Sequence, residues 1–255
     1  LKPTASAKPP GDSRAGVAPV FLTAEWRDLV MANYEVPQAA LLPYVPAGTE
    51  LDGWNGRNYV SLVGFHFLNT RVWNIAFPFH RDFEEVNLRF YVRRKVGNDS
   101  RRGVVFLKEI VPHRVIAWAA KTFYNENYIA LPMAHRIEPR PENSRRVSYS
   151  WRQSGNENRL SVTAQGELQS VPNGSEAAFI LEHYWGYSRQ RNGSTLEYQV
   201  EHAPWRMQSV LDYTVEGKFE NLYGPVFGAA LKKQPASIFL ATGSAVTVRK
   251  GVRLL

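Results

Sequence analysis

Residues 83–92, Phe-Glu-Glu-Val-Asn-Leu-Arg-Phe-Tyr-Val (FEEVNLRFYV), alternate polar and apolar side chains along most of their length. In a β-strand, side chains two apart share a face and recur every ~7 Å. Glu85, Asn87 and Arg89 therefore stand in a row on one face, and Val86, Leu88, Phe90 and Val92 form the other. A row of acid, amide and guanidinium either faces water or lines a polar cavity. Phe83 and Tyr91 bracket it on the same face, and the strand expected before it, RNYVSLVGFHFLN (57–69), is apolar on both faces. Such a strand is covered on both sides, which places the row inside the sheet system and points to a cavity.

The surrounding composition agrees with a β-rich chain. The 255 residues are 44% hydrophobic and 13% aromatic, with 16 Pro and 18 Gly, so pleated half-buried surfaces and frequent reversals are expected rather than long helical bundles. The absence of cysteine excludes disulfides, thiolate zinc sites and a cysteine nucleophile, and fits a reducing, cytoplasmic setting. The longest apolar runs, VSLVGFHFL (60–68) and LYGPVFGAAL (222–231), fall short of the ~18 to 20 residues of a membrane-spanning helix. No membrane partner is expected. The opening segment, residues 1–20, is rich in Pro, Ala, Gly and Ser and reads as a flexible arm, with one domain over 21–255. It lacks an initiator Met, consistent with a missing upstream part.

Along the chain, residues 22–35 (LTAEWRDLVMANYE) are compatible with helix or strand, and PQAALLPYVP (37–46) with a short helix closed by prolines. FEEVNLRFYVRRK and GVVFLKEIV, joined by KVGNDSRRG, form adjacent antiparallel strands. From His113 to Tyr124, apolar residues fall on one side of a 3.6-residue wheel, the clearest helix in the chain. Short alternating runs follow at RRVSYSW, NRLSVTAQGEL, TLEYQVEH and IFLATGSAVTVRK, and a second amphipathic stretch covers RMQSVLDYTVEG (206–217).

Glu85 is the first candidate acid or base, with Asn87, Arg89 and Tyr91 beside it as ligand contacts. In EHAPW (201–205) a proline fixes a turn after a strand, so His202 and Trp205 can close one end of a cavity, His202 as a second acid or base. His66, among Val60, Leu62 and Leu68, reads as a core histidine. The six histidines show no H-x-H or H-E-x-x-H spacing, so no metal is expected. Nucleophile-elbow, phosphate-loop and dinucleotide glycine patterns are all missing, and no cofactor is expected. The net charge of +8 raises nucleic acid as a partner, but the basic residues occur as scattered pairs, around Arg93, Arg94, Arg101 and Arg102 for example, and read as solvated loop charge.

Taken in order, ANYEVPQAALLPYVPAGTELDGWNGRNYVSLVGF, FEEVNLRFYV, LEHYWGYS and HAPW resemble the YqjF-like family of uncharacterised bacterial proteins in the acetoacetate decarboxylase-like superfamily. The resemblance covers nearly everything after the arm. It implies an α+β fold, mainly antiparallel, with a few short helices and a sheet curled or closed into a barrel around a central cavity. It implies Glu85 as counterpart of the decarboxylases' cavity glutamate. Those enzymes use a lysine made nucleophilic by a neighbouring lysine and by desolvation. Their lysine pair corresponds to the region of Asn127, Tyr128 and Ile129, none of which is lysine, and Glu35 stands where a substrate-binding arginine is expected. Tyr128 is then a ligand contact, and only Lys108 or Lys121 remains as a nearby amine.

The expected function is a cavity protein for a small polar or carboxylate-bearing molecule, with a lyase, isomerase or hydrolase step on an oxoacid that needs no Schiff base. A non-catalytic sensor or binding module is the alternative, nucleic-acid association through the basic turn is a third reading, and a homo-oligomer is compatible with all three.

Overall fold

The computed structural model describes residues 18–254, so most of the expected arm (residues 1–17) lies outside the described residues. The first half of the chain comprises β1 (Val20–Val36), α1 (Gln38–Leu41), β2 (Glu50–Leu51), β3 (Asn58–Val72), β4 (Phe83–Val96), β5 (Asp99–Val111) and α2 (Arg114–Tyr124). After it come β6 (Tyr128–Ala130), β7 (Met133–Arg140), β8 (Ser144–Gln153), β9 (Asn156–Ser170) and α3 (Glu176–Leu181). The last third adds β10 (Trp185–Arg189), β11 (Thr195–His202), β12 (Arg206–Glu216), α4 (Glu220–Leu231), β13 (Ser237–Arg249) and β14 (Val252–Leu254). The fold is α+β and mainly antiparallel, a curled sheet with a few short helices.

These strands belong to one sheet, in the order β14-β11-β10-β5-β4-β3-β1-β13-β12-β9-β8-β7, with β2 and β6 paired to β4 and β5. The sheet curls far enough for β11 to pair with β13 as well, through Val200↔Val248, Glu201↔Thr247 and His202↔Val246. That contact brings the two sides of the curl together around an interior space. The remaining stretch, β7 to β9 with α4, folds back over the outside. Its Val147, Tyr149, Trp151 and Leu160 join Leu62, Leu88 and Phe90 of β3 and β4 in an outer core. An inner core on the concave side includes Met31, Val63, Phe65, Phe67 and Phe83. Burial of both strand faces explains why β3 and β4 read as they do.

The open assignment at 22–35 resolves as strand. β1 is paired along both edges, with β3 and with β13, and these ladders override any helical reading of its sequence. Its register against β3 shifts between Arg27 and Val30, where Asp28 takes φ 53°. Opposite Arg27 sits Gly243 at φ 71°, its Cα facing the Trp26 carbonyl with no room for a Cβ. Such irregularities increase local bending and allow so long a strand to wrap. The second amphipathic stretch is strand β12, whose register against β9 shifts at Met207/Ser209 and at Val210/Asp212. Two breaks in the period of two hide a strand from pattern reading. PQAALLPYVP does form a short helix, α1, followed by a 3-10 turn over Leu42–Tyr44. The apolar run 222–231 lies within α4, kinked at Gly224 and Pro225 and packed on the outer core. No helix among the described residues is long and apolar enough to cross a membrane.

One close approach ties the fold to its interior. Gly186 in β10 lies opposite Tyr198 in β11, and a Cβ at Gly186 would overlap the Tyr198 ring. Gly186→Ala should therefore destabilise the protein by about 1–3 kcal/mol, the cost of overpacking a filled site. Urea unfolding at neutral pH measures it, and an unchanged midpoint would mean that the ring is free to move aside.

Candidate functional site

The curl encloses a cavity of about 620 Å³. Inward side chains of β1, β3, β4, β5 and β11 form its wall, and α2 with the segment 73–80 forms its rim. The rim exposes Trp73, Phe77 and Trp118. The wall is largely aromatic and aliphatic, with polar groups gathered in a few places, as in many small-molecule sites.

The β4 row points inward. Glu85, Asn87 and Arg89 are 2%, 1% and 8% exposed, and all three line the cavity. Their register partners on β3 are Phe65, Val63 and Ser61. Asn87 Nδ2 donates to Glu85 Oε1 at 2.9 Å, and the Tyr128 hydroxyl donates to Glu85 Oε2 at 3.0 Å. Arg89 Nη2 donates to the Ile180 carbonyl at 3.4 Å, at the end of α3, while its Nε has no partner among the described residues. The row thus runs from the α2 rim toward a floor closed by α3.

Two further acids join it. Glu109 of β5 stands opposite Asn87, and Glu126, between α2 and β6, accepts from the Tyr198 hydroxyl at 2.9 Å. Both are buried and line the cavity. Burial pushes the Glu85 carboxyl up to about 7, against the opposing pull of Asn87, Tyr128 and Arg89. Burial and the charge of Glu85 push Glu126 up to about 8, although Tyr198 counteracts them. Glu109 lies well above the usual carboxylate range, from burial and from the charges of Glu126 and Glu85, with the nearby Tyr128 hydroxyl opposing them.

Sequence reasoning missed Glu109 because of a β-bulge. Leu88 pairs with Lys108 but Arg89 pairs with Phe106, so Leu107 is the extra residue on β5. Simple alternation from Val104 and Phe106 would send Lys108 inward. The bulge instead turns Lys108 to the outer face beside Leu88 and sends Glu109 into the cavity. Lys121 is exposed on α2. No lysine among the described residues lines the cavity. Glu35 is exposed and pairs with Arg57 at 3.5 Å, away from the cavity.

The other expected residues divide. His202 and Trp205 both line the cavity. Their rings stack at 4.3 Å, with Tyr184 on the other side of His202 at 4.8 Å, and the Trp205 indole donates to Ser244 Oγ at 3.0 Å. His202 Nδ1 lies 2.9 Å from the Ala203 carbonyl, and burial lowers its pKa. Tyr91 sits below the cavity, its hydroxyl 2.5 Å from Ser61 Oγ and its ring against Phe179. Beside Tyr91, at 4.7 Å, is His183, which sequence reasoning did not weigh. His183 lines the cavity with neither ring nitrogen within hydrogen-bond distance of a partner among the described residues. Burial, Arg102 and Arg89 hold it down at about 4 despite Asp52 at 3.9 Å, so it is neutral at physiological pH. LEHYWGYS carried this histidine in plain view, but nothing in its spacing marked it.

Away from the cavity, His66 is half-buried rather than a core residue, its ring 4.2 Å from that of His135. The basic turn is also less free than expected. Arg93 pairs with Glu50 at 2.8 Å, Arg94 and Arg101 with Glu197 at 3.1 and 2.6 Å, and Arg102 with Asp52 at 2.7 Å. These charges are engaged within the protein, and the acids Glu197 and Asp52 are buried. Among the described residues no group of three or more His, Cys, Asp or Glu is arranged to hold a metal ion.

Comparison with known proteins places this architecture. The chain is 28% identical over 189 residues to the uncharacterized protein YqjF of Bacillus subtilis, covering 72% of this chain and 74% of that protein. The acetoacetate decarboxylase of Legionella pneumophila superposes with a TM-score of 0.64 at 11% identity, over 98% of this chain and 93% of that one. The enduracididine biosynthesis enzyme MppR, complexed with pyruvate, gives 0.62 at 15% identity, over 100% and 99%. At such identities the structures establish a shared acetoacetate decarboxylase-like fold and nothing finer. The model of the DUF2071 family, described as an uncharacterized conserved protein, matches residues 23–245. By that match the chain belongs to the DUF2071 family.

Proposed function

We propose that the chain binds a small carboxylate-bearing organic molecule inside the curled sheet and acts on it by acid–base chemistry at Glu85, without a covalent amine intermediate. The observation that carries this reading is Arg89: a buried, cavity-lining guanidinium whose Nε is unpartnered among the described residues. A buried donor left unmade costs free energy, and a carboxylate is the natural acceptor for a guanidinium fork. Glu85, two inward positions along β4 and held near 7, can both keep and give up a proton at neutral pH, as a general acid or base requires. Neutral His183 offers a further hydrogen bond at the same end. A structural neighbour complexed with pyruvate makes small oxoacids the first probes. A non-catalytic sensor using the same cavity is favoured by His202, whose ring is already engaged by a backbone carbonyl and two stacked aromatics.

Three outcomes are expected. Pyruvate and longer 2-oxoacids, titrated calorimetrically, should bind the wild-type chain. They should bind Arg89→Ala about 10- to 100-fold more weakly, the equivalent of a lost charge-assisted hydrogen bond of ~1.5–3 kcal/mol. Equal affinity in the variant would remove Arg89 from the site, and product formation in the same solutions separates enzyme from sensor.

Borohydride reduction in the presence of each oxoacid should leave Lys108 and Lys121 unmodified by mass spectrometry. A covalent adduct on either lysine would refute the amine-free reading.

The third outcome concerns pH. A carboxyl whose pKa rises on folding contributes stability that is fully present below its ordinary value of 4.5 and is lost as pH rises through the folded value. For Glu85 and Glu126 that loss extends through about 7 and about 8. Histidines lowered by burial oppose it, but only below their ordinary 6.5. Stability from urea unfolding should therefore fall between about pH 6.5 and 8, and fall less steeply in Glu85→Gln. Parallel pH profiles for the two proteins would show that Glu85 titrates as if solvated.

A further inference from the structure

We infer that the molecule held in the cavity carries a cationic nitrogen as well as a carboxylate, with the nitrogen seated between Asn87 and Glu109 and the carboxylate at Arg89. The inference rests on the carboxylate reading above and adds a second charge to it.

Three buried polar atoms on facing and successive positions of β4 and β5 lack partners among the described residues. Asn87 commits its amide nitrogen to Glu85, which leaves its Oδ1 buried with no donor. Directly opposite across the β4–β5 ladder, Glu109 Oε2 is also buried with no donor. The Tyr128 hydroxyl lies near Glu109 too, but it has one proton to give and donates it to Glu85. Residues paired across a ladder have Cβ atoms about 5 Å apart, so one small group can reach both side chains. Asn87 Oδ1 calls for a donor, Glu109 Oε2 accepts one once its carboxyl ionises, and Arg89 Nε calls for an acceptor. Asn87 and Arg89 are successive inward positions on β4, one step of ~7 Å apart. A molecule with an anionic end and a cationic end, separated by a short chain, satisfies all three.

The titratable groups around the cavity accommodate the same answer. The groups that face the cavity are Glu85, Asn87 and Arg89 from β4, Glu109 from β5, and Glu126 and Tyr128 after α2. Tyr124 at the end of α2, Tyr198 and His202 of β11, His183 before β10 and His80 at the rim are the other titratable groups there. Arg89 is the one permanent cation among them, burial favours the protonated carboxyls of Glu85, Glu109 and Glu126, and the buried His183 is neutral. A bound carboxylate balances Arg89 and leaves three carboxyls that can ionise beside a second, positive charge. A cationic ligand nitrogen can pair with a carboxyl that ionises on binding, and the aromatic wall, Phe65, Phe67 and Phe106 among it, can face a cation favourably. Because a nearby cation favours ionised carboxyls, Glu85 and Glu109 should release protons as the ligand enters.

The test compares pentanoate, pentylamine and 5-aminopentanoate on the wild-type chain and on Glu109→Gln. Isothermal titration calorimetry at pH 7, in buffers of different ionisation enthalpy, reads affinity and proton release together. 5-Aminopentanoate should bind at least about tenfold more tightly than pentanoate and release protons, and Glu109→Gln, of nearly the same shape, should abolish most of that advantage. Equal binding of pentanoate and 5-aminopentanoate to the wild type would overturn the cationic nitrogen and leave the carboxylate reading standing. Equal binding of pentylamine and 5-aminopentanoate, or no binding of either acid, would overturn the carboxylate reading and this inference with it.

Discussion

Every strand around an enclosed space must present one face inward, and in β5 the bulge at Leu107 decides which side chains those are. Without the extra residue, strict alternation would continue from Phe106 to Lys108 and place an amine in the cavity. With it, Glu109 enters opposite Asn87 and Lys108 goes to the outer face beside Leu88. A one-residue change of register moves every later side chain to the other side of the sheet. The irregularity thus adds Glu109 to a wall that already holds Glu85, Arg89 and Glu126, and leaves no lysine among the described lining residues.

Such an interior is costly to assemble. Buried carboxyls escape most of that cost by keeping their protons, which is the physical meaning of the raised values at Glu85, Glu109 and Glu126. Hydrogen bonds from Asn87, Tyr128 and Tyr198 offset part of the remainder. Some groups stay unpaired among the described residues even so, notably Asn87 Oδ1, Arg89 Nε and both nitrogens of His183. Native proteins leave few buried polar atoms in that condition, and their concentration around one cavity is what the proposed ligand recognition rests on. The elements around them are correspondingly well held, by apolar cores on both faces of β3 and β4.

Much of this was legible in the sequence. The Glu85, Asn87, Arg89 row was readable because β4 keeps its period of two through that stretch, and its inward direction because β3 is apolar on both faces. The α2 helix announced itself by a clean 3.6-residue period. Failures coincide with broken periods: Glu109 lies behind the Leu107 bulge, and β12 shifts register twice. His183 and Glu126 lie outside regular elements, where no spacing rule predicts direction. The basic turn misled for a different reason, because its partners Glu50, Asp52 and Glu197 are distant in sequence and meet it only in the folded sheet.

For the cavity site to work as proposed, its acids must share a space with little water, and a titration of individual carboxyls addresses that directly. With glutamate labelled at its side-chain carboxyl carbon, NMR chemical shifts can be followed from about pH 3 to 10, a range that spans ordinary and raised carboxyl values, using Glu85→Gln and Glu126→Gln for assignment. Glu85 should titrate near 7 and Glu126 near 8, both above a glutamate's ordinary 4.5. A Glu85 signal that titrates at the ordinary 4.5 would mean that the row faces water, and the cavity site would fall.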